Sequence, residues 1–182
     1  MRKFLVFILF MSSLHVIAQQ ENSNLNFRFG SGLSLLGTGD MIALNVENEV
    51  NYSLSQTFTG AASLTYGYSN FGVYKSASFL QGNLNFFLAP FGNTSRNVFR
   101  VGTGLSYYRV TDVQKYTLVC GVGQTAGEVT SYETRDAFGY NAIIENTYAI
   151  TDRFLIGLKL FTQPYMNGDI NSGVLIKGGL KL

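Results

Sequence analysis

The sequence predicts an all-β chain in which eight antiparallel strands close up-and-down into a transmembrane β-barrel behind a signal peptide. Three observations carry that reading: segments that alternate apolar and polar residues with a period of two, a ten-residue segment written twice, and a polar face built from small residues. The stretch FRFGSGLSLL at 27–36 returns as FRVGTGLSYY at 99–108. In an extended chain Phe27, Phe29, Leu33 and Leu35 point one way, and Arg28, Gly30, Gly32 and Ser34 the other. Each copy is a two-faced strand, greasy on one side and nearly without bulk on the other.

The chain opens with MRKFLVFILFMSSLHVIAQQ, a basic start followed by an apolar run and a small-residue exit at Ala18. That layout is a secretory signal peptide over 1–18, leaving 19–182 as one barrel domain. The run is too short for a helical anchor, which needs about twenty apolar residues. Cleavage removes Arg2 and Lys3, so the formal charge of +2 falls to zero, and no basic excess remains to attract nucleic acid. It also removes His15, the single histidine. Cys120 is the one cysteine, so no internal disulfide forms, and a passive loop position is expected for it.

The repeat extends past the opening decapeptide. At an offset of 96 residues Asn45 matches Asn141, Glu49 matches Glu145, Tyr52 matches Tyr148, Phe58 matches Phe154 and Gly82 matches Gly178. Alternation alone would reproduce the apolar matches but not Arg, Glu, Asn and Tyr in step. A four-strand duplication is therefore expected, with one long loop in the second half taking up the change in spacing. The strands fall at about 24–36, 41–54, 58–68, 76–89, 97–110, 137–150, 154–162 and 173–182.

Strands of this length suit a tilted crossing of a bilayer, and in lipid a spanning sheet must close to pair its backbone. A soluble barrel would turn its apolar face inward and meet water with Lys, Glu and Asp. Here the polar face reads Gly30, Gly32, Ser34, Asn45, Ser63, Gly102, Gly104, Ser106, Gly157 and Gly179, which suits a crowded lumen. Tyr52, Tyr66, Tyr68, Phe138, Tyr140 and Tyr148 near strand ends match interfacial aromatic girdles. Asn48 and Asn146 fall on the apolar face, where a bulge or a slip of register is expected.

With the signal peptide, eight strands, short turns alternating with longer loops, and a closing strand carrying Val174, Ile176, Leu180 and Leu182, the chain resembles the small eight-stranded outer-membrane barrels of gram-negative bacteria, of the OmpA-barrel, OmpX and OmpW type. The resemblance covers the mature chain from Leu25 onward. It implies an outer-membrane location with both termini in the periplasm, contact with outer-membrane lipid, and handling by the barrel-insertion machinery during assembly. Barrels of this group commonly end in phenylalanine, whereas this chain ends in Leu182.

Register gives the repeated arginine a partner. A two-residue turn after Gly37 sets Arg28 opposite Glu49, and a hairpin centred on Val122-Gly123 sets Arg100 opposite Glu145 and Arg109 opposite Asp136. Turns at Ser55-Gln56-Thr57 and Thr151-Asp152-Arg153 set Ser63 beside Glu49 and Lys159 beside Glu145. With Glu47, Lys177 and Lys181 on the same face, the lumen carries acids and bases together. The ion pairs of Arg28, Glu49, Arg100, Glu145 and Lys159 either fill the interior structurally or gate a narrow pore. The glycines beside the arginines are expected to leave room for the guanidinium fork.

Enzymes of barrel fold generally use a histidine base, and the mature chain has none. Glu49 and Glu145 as a glycosidase pair would each be spoiled by a matched cation. No enzyme activity and no cofactor or metal is expected. What remains is a structural or surface-interaction barrel, with a porin-like channel for small solutes or a barrel subunit of an export machine as the alternatives. The segment 112–134 keeps alternating, so it is expected to extend the hairpin as a ribbon beyond the bilayer and to offer a surface partner a strand edge.

Overall fold

The computed structural model describes residues 24–37, 41–71, 75–119 and 125–182, with backbone alone at 117–119 and 125–128. The expected signal peptide, the turn centres at 38–40 and 122–123, and Cys120 lie outside the described residues. Eight strands form: β1 (Leu25–Gly37), β2 (Met41–Ser53), β3 (Phe58–Phe71), β4 (Lys75–Leu88), β5 (Asn97–Val119), β6 (Thr125–Ala149), β7 (Phe154–Pro164) and β8 (Ile170–Lys181). Each pairs antiparallel with the next, and β1 pairs with β8, so the eight strands close into a barrel.

The pattern that builds the strands also decides which way the wall faces. Leu33, Leu44, Leu84, Leu105, Ile144 and Ile176 all stand on the outside, with Leu84 67% and Leu105 68% exposed. Interleaved with them, Ser34, Asn45, Asn83, Ser106, Asn141 and Lys177 are buried in the bore. An apolar wall of this extent is far larger than a water-soluble monomer presents, and it is the outer surface a bilayer requires.

Register follows the turns. Arg28 lies opposite Glu49, Leu33 opposite Leu44, Arg100 opposite Glu145 and Arg109 opposite Asp136. The β2–β3 and β6–β7 turns repeat one another. In the first, Ser55 Oγ accepts from the amides of Thr57 and Phe58 at 3.2 and 3.0 Å; in the second, Thr151 Oγ1 accepts from Arg153 and Phe154 at 3.3 and 2.9 Å. The chain thus caps both turns with the same side-chain device.

Three expectations need correction. Asn48 and Asn146 sit in unbroken ladders, opposite Phe29 and Leu64 and opposite Phe99 and Leu158, so neither marks a bulge or a slip. Their buried neighbours Glu47, Glu49, Glu145 and Thr147 face the bore, and a period of two then turns the asparagines outward. The strands of the long hairpin run to Val119 and from Thr125, not to 110 and from 137. Finally, β4 stays paired with β5 as far as Lys75 opposite Gln114, so Asp112, Val113 and Gln114 belong to the barrel wall rather than to the ribbon.

Candidate functional site in the barrel lumen

The bore is filled in layers. Nearest the termini, a cluster of four cations (Arg28, Arg100, Lys159, Lys177) and three carboxylates (Glu47, Glu49, Glu145) is buried, from 0% exposed at Glu145 to 6% at Arg28. Ladder neighbours are not the side-chain partners. Arg28 stands opposite Glu49, yet its Nη1 reaches across the bore to Glu145 Oε1 and to Thr147 Oγ1 at 3.2 Å, while its Nε donates to Asn26 Oδ1 at 2.9 Å. Arg100 keeps its ladder partner: Nη2 and Nε donate to Glu145 Oε1 at 2.7 and 3.1 Å, and Nη2 reaches Glu49 Oε1 at 3.4 Å.

The lysines close the cluster. Lys159 lies opposite Glu145 in the ladder, but its Nζ donates to both oxygens of Glu47 at 2.9 and 2.8 Å. Lys177 Nζ sits at the centre, 2.8 Å from Glu47, 2.7 Å from Glu49 and 3.4 Å from Glu145. Ser63, expected beside Glu49, pairs with it in the ladder but donates to Glu47 Oε2 at 3.4 Å. Lys181 stands exposed at the mouth, outside the cluster. The side chains of Arg109 and Asp136 face outward, and Asp136 accepts from Tyr107 Oη at 2.7 Å.

The glycines do not make room for guanidinium forks as expected. A Cβ on Gly102 would lie 2.5 Å from the Phe87 ring, so that glycine seats Phe87, and Phe87 in turn lies under Arg100 with its centroid 4.1 Å from Cζ. Buried apolar residues flank the cluster within the bore: Ala61, Phe87, Ile143, Phe161 and Leu175 pack together.

Beyond the charges lies a layer of neutral amides that the sequence reading did not single out. Gln81 Nε2 donates to Asn83 Oδ1 and Gln163 Oε1, both at 2.8 Å, and Tyr165 Oη donates to Gln81 Oε1 at 2.9 Å. Asn141 Nδ2 donates to Asn85 Oδ1 at 2.6 Å. Above them Leu36, Met41, Phe79, Tyr108, Val110 and Tyr165 form an apolar layer, with the Tyr108 and Tyr165 rings 3.9 Å apart. At the far end Arg135 bridges Asp112 and Asp169, the latter at 2.8 Å from Nε, and Asp169 also accepts from Tyr108 Oη. Burial alone would raise the Asp169 carboxyl in its turn beyond β7, but the Tyr108 hydroxyl and the Arg135 guanidinium outweigh it and hold the group below its ordinary value.

Every charge in the cluster has at least one opposite charge within 4 Å, and the amide and aromatic layers stack on it. Among the described residues no group of three His, Cys, Asp or Glu could hold a metal ion.

No family model matches the chain, and no curated protein does. Solved structures do. The chain is similar to Neisserial surface protein A with a TM-score of 0.68 and 11% identity over 90% of this chain and 100% of that one. It is similar to Ail, the attachment invasion locus protein of Yersinia pestis, with a TM-score of 0.59 and 10% identity over 88% and 98%. It is also similar to the outer membrane protein OprG of Pseudomonas aeruginosa, with a TM-score of 0.58 and 11% identity over 90% and 98%. The fold is that of the small eight-stranded outer-membrane barrels.

Proposed function

We propose that this chain is an integral outer-membrane barrel with a sealed lumen that works at the cell surface, presenting the β5–β6 hairpin to a partner. The observation that carries the reading is the length of that hairpin. β5 and β6 have 23 and 25 residues, against 11 to 14 for the other six strands. Past Gln114 on β5 and past Phe138 on β6 no described strand pairs with their outer edges. Open edges of this kind accept an added strand.

In this reading the leader at 1–18 directs export, the barrel-insertion machinery places the barrel, and the termini and the β2–β3, β4–β5 and β6–β7 connections face the periplasm. The similarity in fold to a surface protein and to an attachment protein fits a surface role. The buried ion cluster argues against a porin-like channel, because a solute path would have to break several charge pairs at once. The test is topological labelling in a Cys120→Ser background. Lys115→Cys in the ribbon should react with a membrane-impermeant maleimide on intact cells, and Arg153→Cys in the β6–β7 turn should react after lysis alone. The opposite pattern, or steady conductance of the purified barrel in planar bilayers, refutes the reading.

A further inference from the structure

The ion cluster does not balance. Four cations meet three carboxylates, leaving one positive charge in excess inside the wall. The excess falls on the side of the termini. Arg28 and Arg100 share one oxygen, Glu145 Oε1, with Glu49 Oε1 a longer second contact of Arg100 at 3.4 Å, and two guanidinium donors, Arg28 Nη2 and Arg100 Nη1, have no acceptor among the described residues. A net positive charge inside the wall is costly even when each cation has a carboxylate neighbour, so this geometry has a use for an anion.

The space for one is present. A cavity of about 190 Å³ opens directly below the two arginines, at the end of the barrel that carries the termini. Its lining includes Arg28 and Arg100 at the inner end, Arg96 and Lys181 at the rim, and neutral donors such as Asn93 and Thr147. No carboxylate lines it. Asp152 lies in an adjoining hollow of about 110 Å³ with Arg96 and Lys181. At about 30 Å³ per water, the cavity takes one tetrahedral oxyanion with its closest waters.

From these contacts we infer that the mouth of the barrel on the side of the termini is a binding site for a phosphate-type oxyanion, held by Arg28 and Arg100 from above and by Arg96 and Lys181 at the rim. Planar guanidinium forks match the oxygens of a phosphate, and two of them facing one cavity select for it over a spherical anion such as chloride. The group is carried either by a small solute or by a lipid headgroup at the adjoining membrane surface, since the cavity is open at the rim.

The barrel refolded in phosphatidylcholine nanodiscs is titrated with sodium phosphate, with chloride replaced to hold ionic strength constant, and followed by amide NMR. In a second arm the nanodiscs contain phosphatidic acid and no phosphate is added. Saturable shifts at the Arg28, Arg100 and Thr147 amides are expected in at least one arm, and the arm that responds identifies the source. The Arg96→Gln, Lys181→Gln double variant, which touches no described ion pair, should keep the folded spectrum and weaken the response about tenfold. Absence of a saturable response in both arms overturns the inference. So does a response that chloride reproduces, or one that the rim variant leaves unchanged.

Discussion

Removing Glu145 should cost this barrel more than removing any cation that binds it, and the structure sets the order. Glu145 accepts from Arg28, Arg100 and Thr147 on one oxygen and faces Lys177 across 3.4 Å on the other. Breaking a buried pair from one side typically costs about 3 to 5 kcal/mol. Glu145→Ala strands Arg28, leaves Arg100 with only its longer contact to Glu49 and raises the positive excess, so it belongs near the top of that range, at about 5 kcal/mol. Arg28→Ala leaves Glu145 with Arg100 and Lys177 and relieves the excess, so it belongs near the bottom, at about 3 kcal/mol. A double-mutant cycle should find about 1 to 3 kcal/mol of coupling between Arg28 and Glu145, and under about 0.5 kcal/mol between Arg28 and its ladder neighbour Glu49. Urea unfolding of the barrel in lipid vesicles, followed by the loss of its heat-sensitive gel mobility, measures the six stabilities of the two cycles. Stronger coupling of Arg28 to Glu49 than to Glu145 would refute the reach across the bore.

Other outcomes follow from the wall, the turn and the ribbon. A Cβ on Gly32 would sit 1.9 Å from the Val174 carbonyl oxygen and 2.8 Å from Leu175 Cα, whereas one on Gly82 meets nothing within 4 Å. Gly32→Ala should therefore destabilise the barrel by about 1 to 3 kcal/mol in urea melts, and Gly82→Ala should stay within about 0.5 kcal/mol. Asp169 has its folded value depressed, so its contribution is present above the unfolded carboxylate value and is lost as pH falls through the folded one. Amide protection at Tyr165 and Gly168, whose N–H groups close the turn, taken relative to the intrinsic exchange rate at each pH, should be flat from about pH 5 to 8 and fall in acid below about pH 4, and Asp169→Asn should abolish that fall. Replacing residues 115–130 by an Asn-Gly turn should leave insertion and heat-modifiable migration intact while removing any partner binding, because the wall ends at Gln114. Failure of that protein to insert would mean the ribbon is needed for closure.

The ladder was legible in the sequence and the bore was not. Register depends on a period of two and on turn length, both local, so Arg28 opposite Glu49 and Arg100 opposite Glu145 follow from the chain alone. Partner choice inside the bore is not local. Arg28 and Lys159 are long enough to cross to strands far away in sequence, and each binds a carboxylate from another strand in preference to the one beside it. Phe79 and Phe87 were also hidden. Gly67 and Gly102 admit their rings, and a glycine on the neighbouring strand gives no sign of which aromatic fills its place. Asn48 and Asn146 show the converse: strict alternation placed them on the outer wall, and it was right to do so.

Seven of the eight ladders join strands that follow one another through a turn or a short loop; the seam between β1 and β8 joins Asn26 to Lys181 across nearly the whole chain. Hairpins can zip early at small entropic cost, but the seam must wait until the other strands have brought its two edges together. The polar plug is tied to the same moment, because Arg28 comes from one side of the seam and Lys177 from the other, and both are anchored on Glu145 of β6. Before closure those groups are hydrated on an open sheet; on closure they lose their water and gain each other in one step. Assembly of this barrel should therefore be all-or-none at its last event, with the seam acting as a latch that engages only once every strand is in place.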